Sequence, residues 1–253
     1  MADHRITTAR GSLFVRDWGE STNAAPIILL HDSLGCVALW RDFGDHLAAR
    51  TQRRVIAYDR AGFGQSDAYA ARLPLDFLYT ECRETLPPIL AGLNVGAFVL
   101  FGHSVGGEMS VAGAADFGAR CVAVISESAQ IFPEDRIHEG IRAAQPALVP
   151  GRPQYEHLKK YHGEKTDWVL SSWIDNWLDP AFTLDLTDHM KKVRCPVLAL
   201  HGDLDEFGST AQAKHLCNHV AGPAQLHVMK DCGHVPHRDR PAEILETVAA
   251  FLT

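Results

Sequence analysis

Phe98-Val99-Leu100-Phe101-Gly102-His103-Ser104-Val105-Gly106-Gly107 is the stretch whose reading decides the fold. An apolar run leads straight into a Gly-x-Ser-x-Gly turn. Behind it, Glu108-Met109-Ser110-Val111-Ala112-Gly113-Ala114-Ala115 opens a helix rich in small residues. Strand, sharp turn and helix together lift a serine clear of the backbone at the carboxyl edge of a sheet. Gly102 and Gly106 lack Cβ, so strand and helix can approach there without a clash. The motif alone is weak; its meaning depends on what the rest of the chain brings to the same edge.

Upstream, residues 26–30 and 54–58 are short, continuous apolar runs, the pattern of strands buried on both faces. The first ends in His31-Asp32-Ser33-Leu34-Gly35. The second opens into Asp59-Arg60-Ala61-Gly62-Phe63-Gly64-Gln65-Ser66, a glycine-rich turn. Residues 5–8 and 12–18 alternate loosely about Arg10-Gly11 and predict an N-terminal hairpin. Residues 38–50 and 76–92 have helical spacing, and Pro87-Pro88 is expected to break or kink the second helix. Downstream of the elbow a helix over 105–118 and a strand over 122–125 follow.

The rhythm then stops. Residues 127–192 contain no buried-strand run and read as short helices carrying Trp168, Trp173 and Trp177, interrupted by prolines. Alternation resumes with a strand at 196–200, a helix at 209–220, a strand at 226–229 and an amphipathic helix at 241–252. Strands alternating with helices predict an α/β fold with a mostly parallel sheet and right-handed crossovers. The expected division is a core of residues 1–126 and 193–253 with a helical cap, 127–192. A helical block inserted between parallel strands fits best over their carboxyl edge, where ligands bind in such sheets.

Composition narrows the function classes. The 253 residues are 46% hydrophobic and 22% charged, enough for a large core, and the net charge is −7 with both signs interspersed. No basic face for nucleic acid or an anionic membrane is evident. No apolar stretch approaches the length of a membrane span. The start, Met1-Ala2-Asp3-His4-Arg5, has no apolar run behind a basic tip, so no secretory signal is expected. Six cysteines, at 36, 82, 121, 195, 217 and 232, lie scattered with no Cys-x-x-Cys, so free thiols are expected. The expectation is a soluble cytoplasmic protein with no metal or cofactor.

A serine hydroxyl is a poor nucleophile without a base, and the base needs a third group to hold it. His234, in Asp231-Cys232-Gly233-His234, follows the strand 226–229 and reaches the same edge as Ser104. His237 is the runner-up. His234-x-x-His237 has the spacing of a metal pair, but Pro236 and the lack of a third ligand argue against zinc. The orienting acid should follow strand 196–200, where His201-Gly202-Asp203-Leu204-Asp205-Glu206 offers three; Asp205 is best spaced to reach back. Glu127 is a further candidate, as acid or substrate contact. The order Ser104, Asp205, His234 is that of elbow-type hydrolases and not of either serine-protease order. An oxyanion needs donors fixed in advance. The Val105 amide, at a helix N-terminus, and the Ser33 amide are the candidates. Asp32, Cys36, His103, Glu127, Trp168, Trp173 and Trp177 are candidates for the substrate pocket.

On these residues the chain resembles the α/β-hydrolase superfamily, in its esterase-like serine hydrolase branch. The resemblance rests on Leu29-Leu30-His31-x-Ser33-x-Gly35, Asp59-Arg60-x-Gly62-x-Gly64-x-Ser66, Gly102-His103-Ser104-Val105-Gly106-Gly107, His201-Gly202-x-x-Asp205 and Gly233-His234, five motifs in the family's order. It implies an eight-stranded, mostly parallel sheet with helices on both faces and a cap between the sixth and seventh strands. It also implies hydrolysis of small to medium carboxylic esters through an acyl-enzyme, without a cofactor. The cap aromatics point to a small-molecule substrate with an apolar part.

There are departures from the family pattern. The family usually has His-Gly where this chain has His31-Asp32. Asp tolerates a positive φ, so the turn is expected to survive with the carboxylate turned away to cap local amides. Glu206-Phe207-Gly208 replaces a common hydrophobic-Pro run. Meta-cleavage-product C–C hydrolases and lactonases share the triad and remain alternatives, as does a non-catalytic ligand-binding relative. Haloalkane dehalogenases and epoxide hydrolases place Asp at the nucleophile position, so Ser104 argues against them.

Overall fold

The computed structural model describes residues 1–253. Its strands are β1 (Ala2–Thr8), β2 (Gly11–Trp18), β3 (Ile27–Leu30), β4 (Val55–Tyr58), β5 (Phe98–His103), β6 (Cys121–Glu127), β7 (Val197–Gly202) and β8 (Ala224–Met229). They form one eight-stranded sheet in the order β1-β2-β4-β3-β5-β6-β7-β8. The β1–β2 hairpin is antiparallel and turns at Ala9-Arg10, one residue before the expected Arg10-Gly11, because Gly11 already pairs with Thr8; β2 also pairs antiparallel with β4. Every other pairing is parallel. This is the fold class expected from the chain's alternating pattern.

Continuous apolar runs are required because both faces of the sheet are covered. Ile28, Leu30, Phe98 and Leu100 enter one apolar cluster of 38 buried residues; Ile27, Leu29, Val99 and Phe101 enter another of 21. Helices α2 (Phe77–Gly92), α3 (Val105–Phe117) and α8 (Thr210–His219) contribute to the first. Helices α1 (Phe43–Thr51) and α10 (Pro241–Phe251), the latter preceded by the single turn α9 (Pro236–Asp239), contribute to the second.

Two local expectations are corrected. The helix expected over 38–50 splits into a 3-10 turn, Val37–Trp40, and α1, because Arg41 adopts φ 53° between them. Helix α2 runs through Pro87 and Pro88 without ending. The carbonyls those prolines leave unpaired belong to Arg83 and Glu84, on the exposed side, where water can meet them. Thr85, Leu86, Ile89 and Leu90 are buried and hold the helix in register.

Between β6 and β7 the chain forms α4 (Asp135–Ala144), α5 (Pro153–His162), α6 (Thr166–Trp177) and α7 (Thr187–Met190), with no strand. No helix is long and apolar enough to cross a membrane. All six cysteines are free thiols.

Candidate active site

Ser104 sits between β5 and α3 with φ 53° and ψ −124°, a conformation that side chains rarely adopt. The sequence around it makes this possible. A Cβ on Gly102 would lie 1.8 Å from the Gly106 carbonyl oxygen, and one on Gly106 would lie 2.1 Å from the Leu30 carbonyl oxygen. Only glycine lets α3 come this close to β5 and β3. Ser104 N donates to the Glu127 carbonyl at 2.8 Å, which ties the turn to β6. Its side chain makes no helix-capping bond.

The hydroxyl instead donates to His234 Nε2 at 3.0 Å. His234 Nδ1 lies 2.9 Å from both carboxylate oxygens of Asp205. Asp205 is aimed by the amides of Phe207 and Gly208, which donate to its Oδ1 at 2.8 and 3.2 Å. A Cβ on Gly202 would strike the Cys232 carbonyl oxygen at 2.2 Å, so that glycine lets the β7 and β8 loops meet. Burial disfavours charge on His234, yet the hydrogen bond and charge of Asp205 outweigh it and hold the imidazole above its usual 6.5. Burial likewise opposes the Asp205 carboxylate, and His234 outweighs it, leaving that carboxyl below 3.8. Neither competing acid hydrogen-bonds His234: Asp203 Oδ1 accepts from Cys232 N at 3.4 Å, and Glu206 acts on the imidazole only through its charge.

Val105 is the first residue of α3 and has no acceptor within that helix for its amide. The Ser33 amide donates to no protein group either. Asp32 departs from expectation. It does not adopt a positive φ, and its carboxylate caps no backbone amide. Its Oδ2 lies 3.7 Å from His103 Nδ1.

Ser104 and His234 open into a cavity of about 500 Å³. Ile137, Ile141, Leu148, Trp173, Trp177 and Phe207 give it an apolar wall, while Asp32, Gln130, Glu206 and Arg238 bring polar groups. Of the candidate pocket residues, Trp173, Trp177 and Asp32 line it. Trp168 lies elsewhere: it covers Gly62, packs edge-on against Phe63 and donates its indole N–H to the Ala71 carbonyl at 2.9 Å. Cys36 and His103 line a separate cavity of about 60 Å³, and burial pushes the Cys36 thiol up to about 12. A wider groove, about 790 Å³, lies at the amino edge of the sheet along residues 21–26 and 92–97, far from the serine. The α4 wall was not singled out from the chain, though the spacing of Ile137 and Ile141 signals it, and Phe207 was noted only as a departure from the family pattern.

Glu127 is fully buried and engages His237, not His234. It accepts from His237 N at 2.7 Å and His237 Nδ1 at 2.6 Å. His103 Nε2 donates to the His234 carbonyl at 2.8 Å, steadying the loop that carries His234. Donor atoms of His103, Glu127 and His237 lie within 4.8 Å of one another. They are the residues best placed to take a metal ion, although the carboxylate is already satisfied by His237. The runner-up base thus anchors the loop behind His234.

Residues 27–247 match the family model described as the alpha/beta hydrolase family. The serine hydrolase BPHL of Mus musculus is 27% identical over 246 residues, covering 92% of this chain and 80% of the relative. The enol-lactonase of Burkholderia xenovorans superposes with a TM-score of 0.76 at 20% identity, covering 98% of this chain and 99% of that one. A thermophilic esterase from Thermogutta terrifontis gives 0.74 at 20% identity over 100% of this chain and 98% of that one.

Proposed function

The chain belongs to the alpha/beta hydrolase family, and from that premise we propose that it is a cofactor-independent serine hydrolase cleaving small to medium carboxylic esters. The observation that carries this reading is the unbroken line from Ser104 Oγ through His234 to Asp205, with steps of 3.0 and 2.9 Å. Ser104 attacks the ester carbonyl. His234 takes its proton and returns it to the leaving alcohol; Asp205 holds the imidazole in the needed tautomer and steadies its charge. The amides of Ser33 and Val105 receive the oxyanion. Water then attacks the acyl-enzyme with His234 again as base.

The segment 127–192 acts as a cap in this reading, since α4 and α6 supply Ile137, Ile141, Trp173 and Trp177 to the cavity wall. An apolar wall around about 500 Å³ favours a substrate with an aliphatic or aromatic part. We place the enzyme in the cytoplasm, acting on small molecules. The test is Ser104→Ala. The wild type is expected to turn over p-nitrophenyl acetate and to be labelled by a fluorophosphonate at Ser104, and the variant to do neither. Turnover retained by the variant overturns the assignment. A panel of esters and lactones varied in acyl and alcohol size then defines the substrate.

A further inference from the structure

The Ser33 amide shares one peptide unit with the Asp32 carbonyl. In a trans peptide these groups point in opposite directions, and the chain has no cis bond. Whatever grips the Asp32 oxygen therefore aims the Ser33 N–H. Three donors grip it: His31 Nδ1 at 2.8 Å, Arg60 Nη2 at 2.8 Å and Gly35 N at 3.3 Å. Arg60 also donates its backbone N and its Nε to His31 Nε2, at 3.2 and 3.4 Å. With Nε2 accepting, the His31 proton must sit on Nδ1, where it meets the same carbonyl. Arg60 thus acts on the Asp32 oxygen twice, directly and through His31.

Arg60 comes from the glycine-rich turn after β4 and is 3% exposed. Its side-chain hydrogen bonds go to a ring nitrogen and a carbonyl, not to a carboxylate, and its guanidinium lies 4.2 Å from the centre of the Phe63 ring. A guanidinium buried without a hydrogen-bonded carboxylate is costly, and a neutral donor could hold a turn. A full positive charge has a further use here. A hydrogen bond to a carbonyl draws electron density through the peptide and strengthens the N–H on its other side. The charge also acts on Asp32, whose side chain lines the cavity of Ser104, as it does on the buried Glu81.

We propose that Arg60 is the positioning residue of the oxyanion hole, aiming and polarising the Asp32–Ser33 peptide and balancing the Asp32 carboxylate. The inference rests on the serine hydrolase reading. The oxyanion exists only after attack on the carbonyl, so the contribution of Arg60 falls on the transition state and not on substrate binding.

The test compares wild type, Arg60→Met and Arg60→Lys for ester turnover and for inhibition by a trifluoromethyl ketone, whose serine adduct places an oxyanion in the hole. Arg60→Met is expected to lower kcat by about 10²-fold with KM within about threefold, and to weaken the inhibitor by the same factor as kcat. Arg60→Lys, which keeps the charge, is expected to recover part of both. Should Arg60→Met not fold, Arg60→Lys decides: a loss in kcat matched by the inhibitor supports the role. Wild-type behaviour in the folded variant, or a loss in kcat that the inhibitor does not follow, overturns it. A wild type inert to fluorophosphonate would instead refute the serine hydrolase reading itself.

Discussion

In the proposed mechanism His234 must be neutral to accept the serine proton, and the pH dependence follows from what surrounds it. Burial pulls its pKa down; Asp205, bonded at 2.9 Å, pulls harder, and Glu206 and Asp32 add to it, so the folded value lies above 6.5. Activity is therefore expected to be lost as pH falls through a midpoint above 6.5, and to be full well above that midpoint. The sign for stability is the opposite. A raised folded pKa makes the His234–Asp205 contribution largest in the protonated state, below the unfolded value, and it fades as pH rises through the folded one. Asp205→Asn removes the charge and frees the imidazole tautomer. Its kcat should fall by about 10⁴-fold and the acid limb of kcat/KM should move to lower pH. A pH–rate profile of both proteins checks this; an unmoved limb in Asp205→Asn would contradict the geometry. Among the residues around the site, Ser104, His234 and Asp205 were legible because each follows a recognisable strand in a known chain order. Arg60 was not, because its partner carbonyl lies 28 residues away and nothing local marks the contact.

Elements are held to one another by a few buried side chains, and His162 is the clearest case. It ends α5, yet its Nδ1 accepts from Gly64 N at 3.0 Å and its Nε2 donates to the Leu34 carbonyl at 2.9 Å. It thereby joins the inserted helices to the glycine-rich turn and to the Ser33 loop at once. Lys165 Nζ adds bonds to the carbonyls of Phe63 and Gly64 at 3.2 and 2.7 Å. Replacing His162 by Phe keeps a ring but leaves the Gly64 amide and Leu34 carbonyl unpaired, each costing about 1–3 kcal/mol. Urea unfolding of His162→Phe is expected to give a lower midpoint at an unchanged slope. A stability equal to wild type would mean that water replaces both bonds. Trp168 belongs to the same junction, which is why it lies over Gly62 and Phe63 and not in the wall of the Ser104 cavity. Helix α2 teaches a related point. Local propensity reads Pro87-Pro88 as a stop, but burial of Thr85, Leu86, Ile89 and Leu90 carries the helix past it.

For the molecule as a whole, the helical insertion shares its apolar interior with the sheet. Ile137, Ile141, Trp173 and Trp177 lie in the same buried cluster as Ile28, Leu100 and Met109. Such an insertion cannot melt without exposing the core beneath it, so thermal unfolding should be one transition. Calorimetry is expected to return equal calorimetric and van't Hoff enthalpies; a separate low-temperature transition would show the insertion unfolding alone. Reducing agent should leave that transition in place, since all six thiols are free. The succession of strands and helices along the chain, the elbow at Ser104 and the candidate base and acid were determined by the chain's own pattern. Apolar runs of strand length demand two covered faces, and glycines at 102 and 106 admit only one kind of turn. Which residues wall the cavity, which tryptophan turns away from it and which cation grips the Asp32 carbonyl were decided by tertiary structure alone. Those contacts join elements far apart in sequence, and their geometry is set by packing between faces, which no local pattern of residues encodes.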